Sequence, residues 1–231
     1  MLEKDIKISN IIFNYVNGAW IAEDTIIGKN VTILPGAVLG RPPISTGAQI
    51  RKQAEHLLPS LVVGDNCVIG SNSVIYRGAN IGNDCLIGDT ACIREHVSIG
   101  YSCIIAMGVT INYNTSIGNR VKVMDNTHLT GNMIIEDDVF IAMLVTTAND
   151  NSMGREAALQ VPIELRKRQG PIIRRNATIG QGTCILPGIA IGENSIIGAN
   201  SVVTKSIPAL VLAIGSPAKI IRDLRRDEIK V

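Results

Sequence analysis

Aromatic side chains are scarce: 231 residues hold two Phe, one Trp and four Tyr, 3% of the chain, so the core must be filled by Ile, Val and small residues. No CxxC pair occurs among the five cysteines, and the opening MLEKDIKISN has no apolar run ahead of a cleavage site. Both absences fit a reducing compartment. No stretch approaches the roughly 18 apolar residues of a membrane-crossing helix. Neither sign of charge dominates: 22 Lys and Arg stand against 20 Asp and Glu, net +2, and the basic residues are scattered, which argues against a nucleic-acid footprint. What is left is a soluble cytoplasmic protein, a single domain over 1–231 that is large enough to bury a core.

What the chain does have is 22 glycines, many aliphatics and a beat of six residues. Steps of six from Val63 through Ile69 and Ile75 to Ile141 meet fourteen aliphatic residues without a miss. The same rule holds from Ile21 to Leu39 and from Ile173 to Val203, giving twenty-four hexads. Four residues after each start in the central block comes a smaller residue (Cys67, Ser73, Ala79 and so on), and only Met133 is bulky there. Neither a helical period nor simple alternation puts one large and one small inward residue in every six. A coil of three short strands does, which predicts an all-β solenoid over 21–208, about eight coils of eighteen residues.

Spacing then assigns several residues. Cys67, Cys85 and Cys103 are one coil apart and stack at the small inward position, as buried apolar residues rather than metal ligands. Gly and Asn recur near the corners, in IGND, IGEN and IGAN, where positive φ is cheapest. Each rung needs a neighbour, so the ends must be capped. GSPAKIIRDLRRDEI predicts a C-terminal helix over 216–231, with Ser216 as N-cap, Pro217 at the first helical position and Ile220, Ile221 and Leu224 on one face.

Two excursions interrupt the beat, at about 45–62 and 147–172; loops of that length without a repeat are usually functional or disordered, and function is favoured because a solenoid gains nothing structurally from them. Thr146 is one coil beyond His128, so the second loop springs out over His128. The same face stacks Tyr76, Arg94 and Asn112, then Arg77, Glu95 and Tyr113, with His96 and Asn114 alongside. The first excursion leaves from this face too, so both wall one groove.

The hexads resemble the hexapeptide-repeat family, which implies a left-handed parallel β-helix of triangular section. The general rule for parallel crossovers would favour the right-handed turn. Residues 172–221, IIRRNATIGQGTCILPG through GSPAKII, look like the C-terminal coils of CoA-dependent acyltransferases. That resemblance makes Gly180, Gly198, Ala199, Thr204, Lys205, Pro217 and Lys219 candidate contacts for acetyl-CoA, with the lysines able to meet phosphates. IEDDVF, TTANDN and the long loop before GPIIRRNATIG are similar to N-acyltransferases of nucleotide-linked amino sugars for surface polysaccharides such as lipopolysaccharide O-antigen. Those enzymes are homotrimers with a loop folded over a cleft between subunits.

The implied reaction transfers acetyl from acetyl-CoA to the amine of a dTDP- or UDP-linked deoxyamino sugar. A neutral amine needs no base to attack a thioester, whereas a hydroxyl does. His128, in MDNTHLTGN, is the candidate base or orienting group. Asp125 and Asn126 fall near the place where amino-sugar enzymes hold the sugar with an amide, and Glu95 could accept an ammonium proton. Arg77, Arg94, His96, Tyr113, Asn149 and Asp150 are candidate substrate contacts, and no metal is expected. In lipid A acyltransferases, which share the frame, the catalytic histidine aligns with Gly131, where this chain has no side chain. The alternative is O-acetylation of a sugar or small hydroxyl compound. A γ-class carbonic anhydrase is disfavoured because it needs three zinc-binding histidines with a close pair, and His56, His96 and His128 are far apart in sequence. An ice-binding prism is disfavoured because its flat Thr face is absent.

Overall fold

The computed structural model describes residues 13–44, 58–153, 155, 159 and 168–226. Among these residues twenty-eight short strands, most of two residues, form three sheets of ten, ten and eight strands, called A, C and B here. The chain visits them cyclically: His128–Leu129 in A, Ile134–Ile135 in B, Phe140–Ile141 in C, then Thr146–Thr147 in A again. Parallel pairs such as Ile87 with Ile105, Ile93 with Ile111 and Ile99 with Ile117 fix one circuit at eighteen residues. The architecture is a parallel β-solenoid, consistent with the left-handed winding that the resemblance implies. It has about nine turns, not eight. The difference arises at Thr147, Ile207 and Ala213, which occupy buried inward places although none extends the aliphatic series by sequence.

Burial explains the beat. Ile69, Ile75, Ile87, Ile93, Ile105 and Ile111 are fully buried along the axis, as are Cys67, Ala91, Cys103 and Val109 at the smaller inward position. Polar residues at that position are satisfied by carbonyls at the corners. Thr115 Oγ1 donates to Thr130 O at 3.0 Å, and the thiols of Cys67, Cys85 and Cys103 point at the carbonyls of Gly82, Gly100 and Gly118, each at 3.1 Å. The cysteine column is core.

The corners divide the work between two residue types. Positive φ falls on Asp84, Asn194 and Asn200, the last residues of IGND, IGEN and IGAN, and not on the glycines before them. Gly82, Gly192 and Gly198 are needed for close approach instead: a Cβ on Gly82 would lie 2.7 Å from the backbone of Gly100 on the next rung.

Both ends of the described solenoid are covered by antiparallel strands. Phe13–Val16 pairs with Ala19–Ala22 at one end, and Lys219–Asp223 pairs with Val211–Ile214 at the other. The helix expected over 216–231 is therefore corrected: residues 219–223 are strand, followed by a single 3-10 turn at Leu224–Arg226, and 227–231 lie outside the described residues. Ser216–Pro217 is a cis bond and does not start a helix. The strand wins because its amides pair with the exposed edge of sheet C, which a helix would leave bare. Ile220 and Ile221 stay exposed. Among the described residues no helix is long and apolar enough to cross a membrane.

Leu144 occupies a corner at φ +60, in the column where Asn72, Asn126 and Asn200 take the same conformation, and its side chain is half exposed. Leu144→Asn should stabilise the fold by about 0.5–1 kcal/mol, since Asn tolerates this region better than Leu. Ile105→Ala should lose about 2–5 kcal/mol. Denaturant midpoints measure both.

Candidate active-site groove

Both excursions leave sheet A at its corner with sheet B. The first follows Val38–Arg41 and rejoins at Val62–Val63, and the second follows Thr146–Thr147 and rejoins at Ile172–Ile173. Five rungs of sheet A separate the exits, about 24 Å at the usual strand spacing. Most of the first excursion, residues 45–57 with His56, lies outside the described residues, as does most of 154–167.

A break in the ladder marks each exit. At the first, register shifts between Leu39 and Arg41 around Gly40, whose φ is +79. At the second, the Thr130 amide donates to Thr147 Oγ1 at 2.8 Å, and the register pairing stops at His128 with Thr146. Thr147 is buried, so the beat lasts one hexad longer than the aliphatic series.

Side chains brace the roots of the excursions. Arg77 donates to both carboxylate oxygens of Asp24, at 3.2 and 2.6 Å, and to the Leu58 carbonyl, while Ser60 Oγ donates to Asp24 at 2.7 Å. Arg77, expected to contact substrate, is thus a strut of the first excursion. Asn149 Nδ2 donates to Gly131 O and the Gln169 amide to Asn149 O, both at 3.0 Å. Asn132 Nδ2 donates to Arg168 O at 3.0 Å, and Asp150 accepts from the Ser152 amide at 2.7 Å with Arg168 4.0 Å away. Asn149 and Asn132 therefore hold the two ends of the second loop to the corner below, and Asp150 links residues of the loop's own ends.

His128 projects from the middle of sheet A and is half-buried. Its Nδ1 shares a 2.6 Å hydrogen bond with Thr110 Oγ1 on the rung below. Burial lowers its pKa from the ordinary 6.5, so the ring is neutral at neutral pH and keeps Nε2 for a further partner. Asp125 and Asn126 form the corner just before it. Asp125 Oδ1 accepts the Met107 amide at 3.1 Å, and Asn126 supplies the left-handed turn at φ +55. Beyond His128, a Cβ on Gly131 would come within 2.8 Å of the Tyr113 ring, so Tyr113 takes the space a side chain at 131 would need.

Two rungs below His128 are Arg94, Glu95 and His96. His96 is an exposed corner residue at φ +57. Glu95 is fully buried and accepts from Arg94 Nε at 2.8 Å and Nη2 at 3.2 Å. A carboxylate so enclosed does not face a substrate ammonium, and its expected catalytic role is corrected to holding Arg94.

The candidate cofactor residues divide into two groups. Gly180 and Gly198 stack on the corner between sheets C and A, next to Ala199 and the Gly215–Pro217 turn, two and three rungs above His128. Both glycines are also required by the fold: a Cβ on Gly180 would lie 2.5 Å from the Ala199 nitrogen, and one on Gly198 would collide with Ile214. Thr204 and Lys205 lie across sheet A at its other border, and Lys219 is on the final strand, all three exposed. Among the described residues no three His, Cys, Asp or Glu side chains converge as a metal site would require. Sequence reasoning missed Arg41, Asp24 and Thr110, whose partners are eighteen or more residues away.

The fold defines the class: a parallel β-solenoid with an eighteen-residue circuit, left twice at the same corner of one sheet. Residues 170–205 match the family model described as bacterial transferase hexapeptide (six repeats), and residues 60–88 and 78–113 match that of the hexapeptide repeat of succinyl-transferase. A Schizosaccharomyces pombe protein described as an acetyltransferase is 39% identical over 94 residues, 36% of this chain and 45% of that protein. The serine acetyltransferase of Buchnera aphidicola is 39% identical over 103 residues, 42% of this chain and 35% of the enzyme. The matched stretch thus spans less than half of either relative. Among solved structures, the UDP-N-acetylglucosamine acyltransferase from Campylobacter jejuni shares the fold with a TM-score of 0.63, over 90% of this chain and 76% of that one, at 18% identity.

Thr147→Val should cost about 1–3 kcal/mol, because it strands the buried Thr130 amide; denaturant unfolding reads this directly. For His128, the unfolded chain takes up a proton near pH 6.5 while the buried ring resists it. Its contribution to stability is therefore unfavourable at low pH and vanishes as pH rises above 6.5. Wild type should lose more stability than His128→Gln when the pH is lowered from well above that value to well below it, measured by paired denaturation curves.

Proposed function

We propose that the chain is a CoA-dependent acetyltransferase whose acceptor is the amine of a dTDP- or UDP-linked deoxyamino sugar, as used in building surface polysaccharides. The observation that carries this reading is the arrangement along sheet A. A glycine-lined corner beside the Gly215–Pro217 turn lies above His128, a basic and polar corner lies below it, and both excursions leave along the same edge. Further support comes from the acetyltransferases matched over parts of the chain.

Acetyl-CoA would lie against Gly180, Gly198, Ala199 and Pro217, its thioester reaching toward His128, with Lys205 and Lys219 available to its phosphates. The acceptor nitrogen bonds to the acetyl carbon, the oxyanion collapses, and the carbon–sulfur bond breaks. The proton lost by nitrogen passes to the neutral His128 ring and then to the departing CoA thiolate, so charge and protons balance. Asp125 and Asn126 flank the acceptor, with Tyr113 and His96 further along the groove. The active form is a cytoplasmic homotrimer, with the cleft completed by a neighbouring subunit.

O-acetylation has one observation in its favour: a hydroxyl needs a general base, and His128, neutral and tethered through Nδ1, is fit to be one. Release of CoA thiol should be compared for the amino and hydroxy forms of one nucleotide sugar. Turnover is expected on the amine, and turnover on the hydroxyl alone would transfer the assignment. His128→Ala should lower kcat by about 100-fold or more if the ring carries the proton. A change confined to KM would reduce it to a binding residue. Sedimentation tests the trimer.

A further inference from the structure

The ladder stacks three side chains at the lower end of the groove. Arg41 is the register partner of Tyr76 at the Gly40 bulge, and Arg94 follows Ile93, the partner of Ile75, so one guanidinium comes from the rung below the Tyr76 ring and one from the rung above. Their central carbons lie 5.4 Å (Arg41) and 4.9 Å (Arg94) from the ring centroid. The fully buried Glu95 holds Arg94 through Nε and Nη2, which leaves the Nη1 edge of the fork, and 34% of the Arg94 side chain stays exposed.

Among the described residues the local charge is positive. Asp24 is engaged by Arg77 and Glu95 by Arg94, and Arg41 adds a further cation on the same face. Burial pushes up the thiol of Cys92, on the strand that leads into Arg94, and the charges of Arg94 and Arg41 oppose that shift. Arg94 is two rungs from His128, about 10 Å, on the side away from Gly180 and Gly198.

We propose that Arg41 and Arg94, stacked on either side of Tyr76, bind the diphosphate of the acceptor, with Glu95 and Tyr76 as positioning residues. This rests on the sugar-nucleotide reading above and extends it to named contacts. Two guanidinium forks suit two phosphate groups, and stacking fixes them before the ligand arrives. The acceptor and CoA then enter from opposite ends and meet at His128. CoA also carries a diphosphate, but the glycine-lined corner lies at the other end.

Calorimetric titration with dTDP, UDP, inorganic pyrophosphate and CoA separates the two sources. Arg41→Gln leaves the Arg94–Glu95 pair intact, and the double variant R94Q/E95Q avoids stranding a buried carboxylate. Either should weaken dTDP or UDP binding about tenfold or more, the order expected for a lost charge-assisted contact, with CoA affinity unchanged and pyrophosphate competing with the nucleotide. Arg120→Gln, in an exposed pair with Asp138 at another corner, is the control. Glu95→Gln should raise the acceptor KM more than it lowers kcat; lost stability with an unchanged KM would make Glu95 merely structural. Equal nucleotide binding by wild type and Arg41→Gln, no nucleotide binding by wild type, or weakening of CoA instead would overturn the site. Loss of nucleotide binding in Arg41→Gln, from a protein that transfers no acetyl group to amino sugars, would keep the site and remove the acetyl-transfer reading.

Discussion

Each rung of this solenoid is joined to the next by backbone amides that, wherever no excursion intervenes, donate seventeen residues onward, as from Leu86 to Cys103, Cys92 to Val109, Thr110 to Thr127 and His128 to Val145. A two-residue strand has almost no stability alone. It persists because its neighbours above and below satisfy its backbone while its inward Ile or Val adds to a continuous apolar column. The requirement for a neighbour is passed along to the ends, where the antiparallel strands Phe13–Val16 and Lys219–Asp223 cover what would otherwise be open edges.

The same constraint decides where functional residues can go. Inward places are filled by core, and corner places by residues that tolerate positive φ or close approach. Chemistry is left to outward positions and to segments that quit the ladder. Quitting needs a local substitute for ladder hydrogen bonds, which Gly40 provides through a bulge and Thr147 through its hydroxyl. Both excursions leave sheet A and return to sheet B in phase, so they start from one edge of the solenoid rather than from opposite faces.

Much of this is legible in the residue order. The aliphatic hexads, the cysteine column and the placement of His128 beneath Thr146 follow from spacing alone. The glycines are legible as corner residues but not for their reason, since only the distance between rungs reveals that Gly82 and Gly198 are held by steric contact. Thr147 escapes because a polar residue fills an apolar place. The C-terminal segment escapes because Ser-Pro followed by a helical spacing reads as a helix, while pairing with Val211–Ile214 makes it a strand. Arg77 and Glu95 look like site residues because charge at a stacked corner has no visible partner in sequence; Asp24 and Arg94 supply those partners.

By itself the sequence determined the repeat, the circuit of eighteen residues and the common edge of the excursions, because periodic burial is written one residue at a time. Only the tertiary structure decided which charged side chains are braces. Those choices depend on partners such as Arg41 with Tyr76, brought together by rung-on-rung pairing rather than by nearness along the chain.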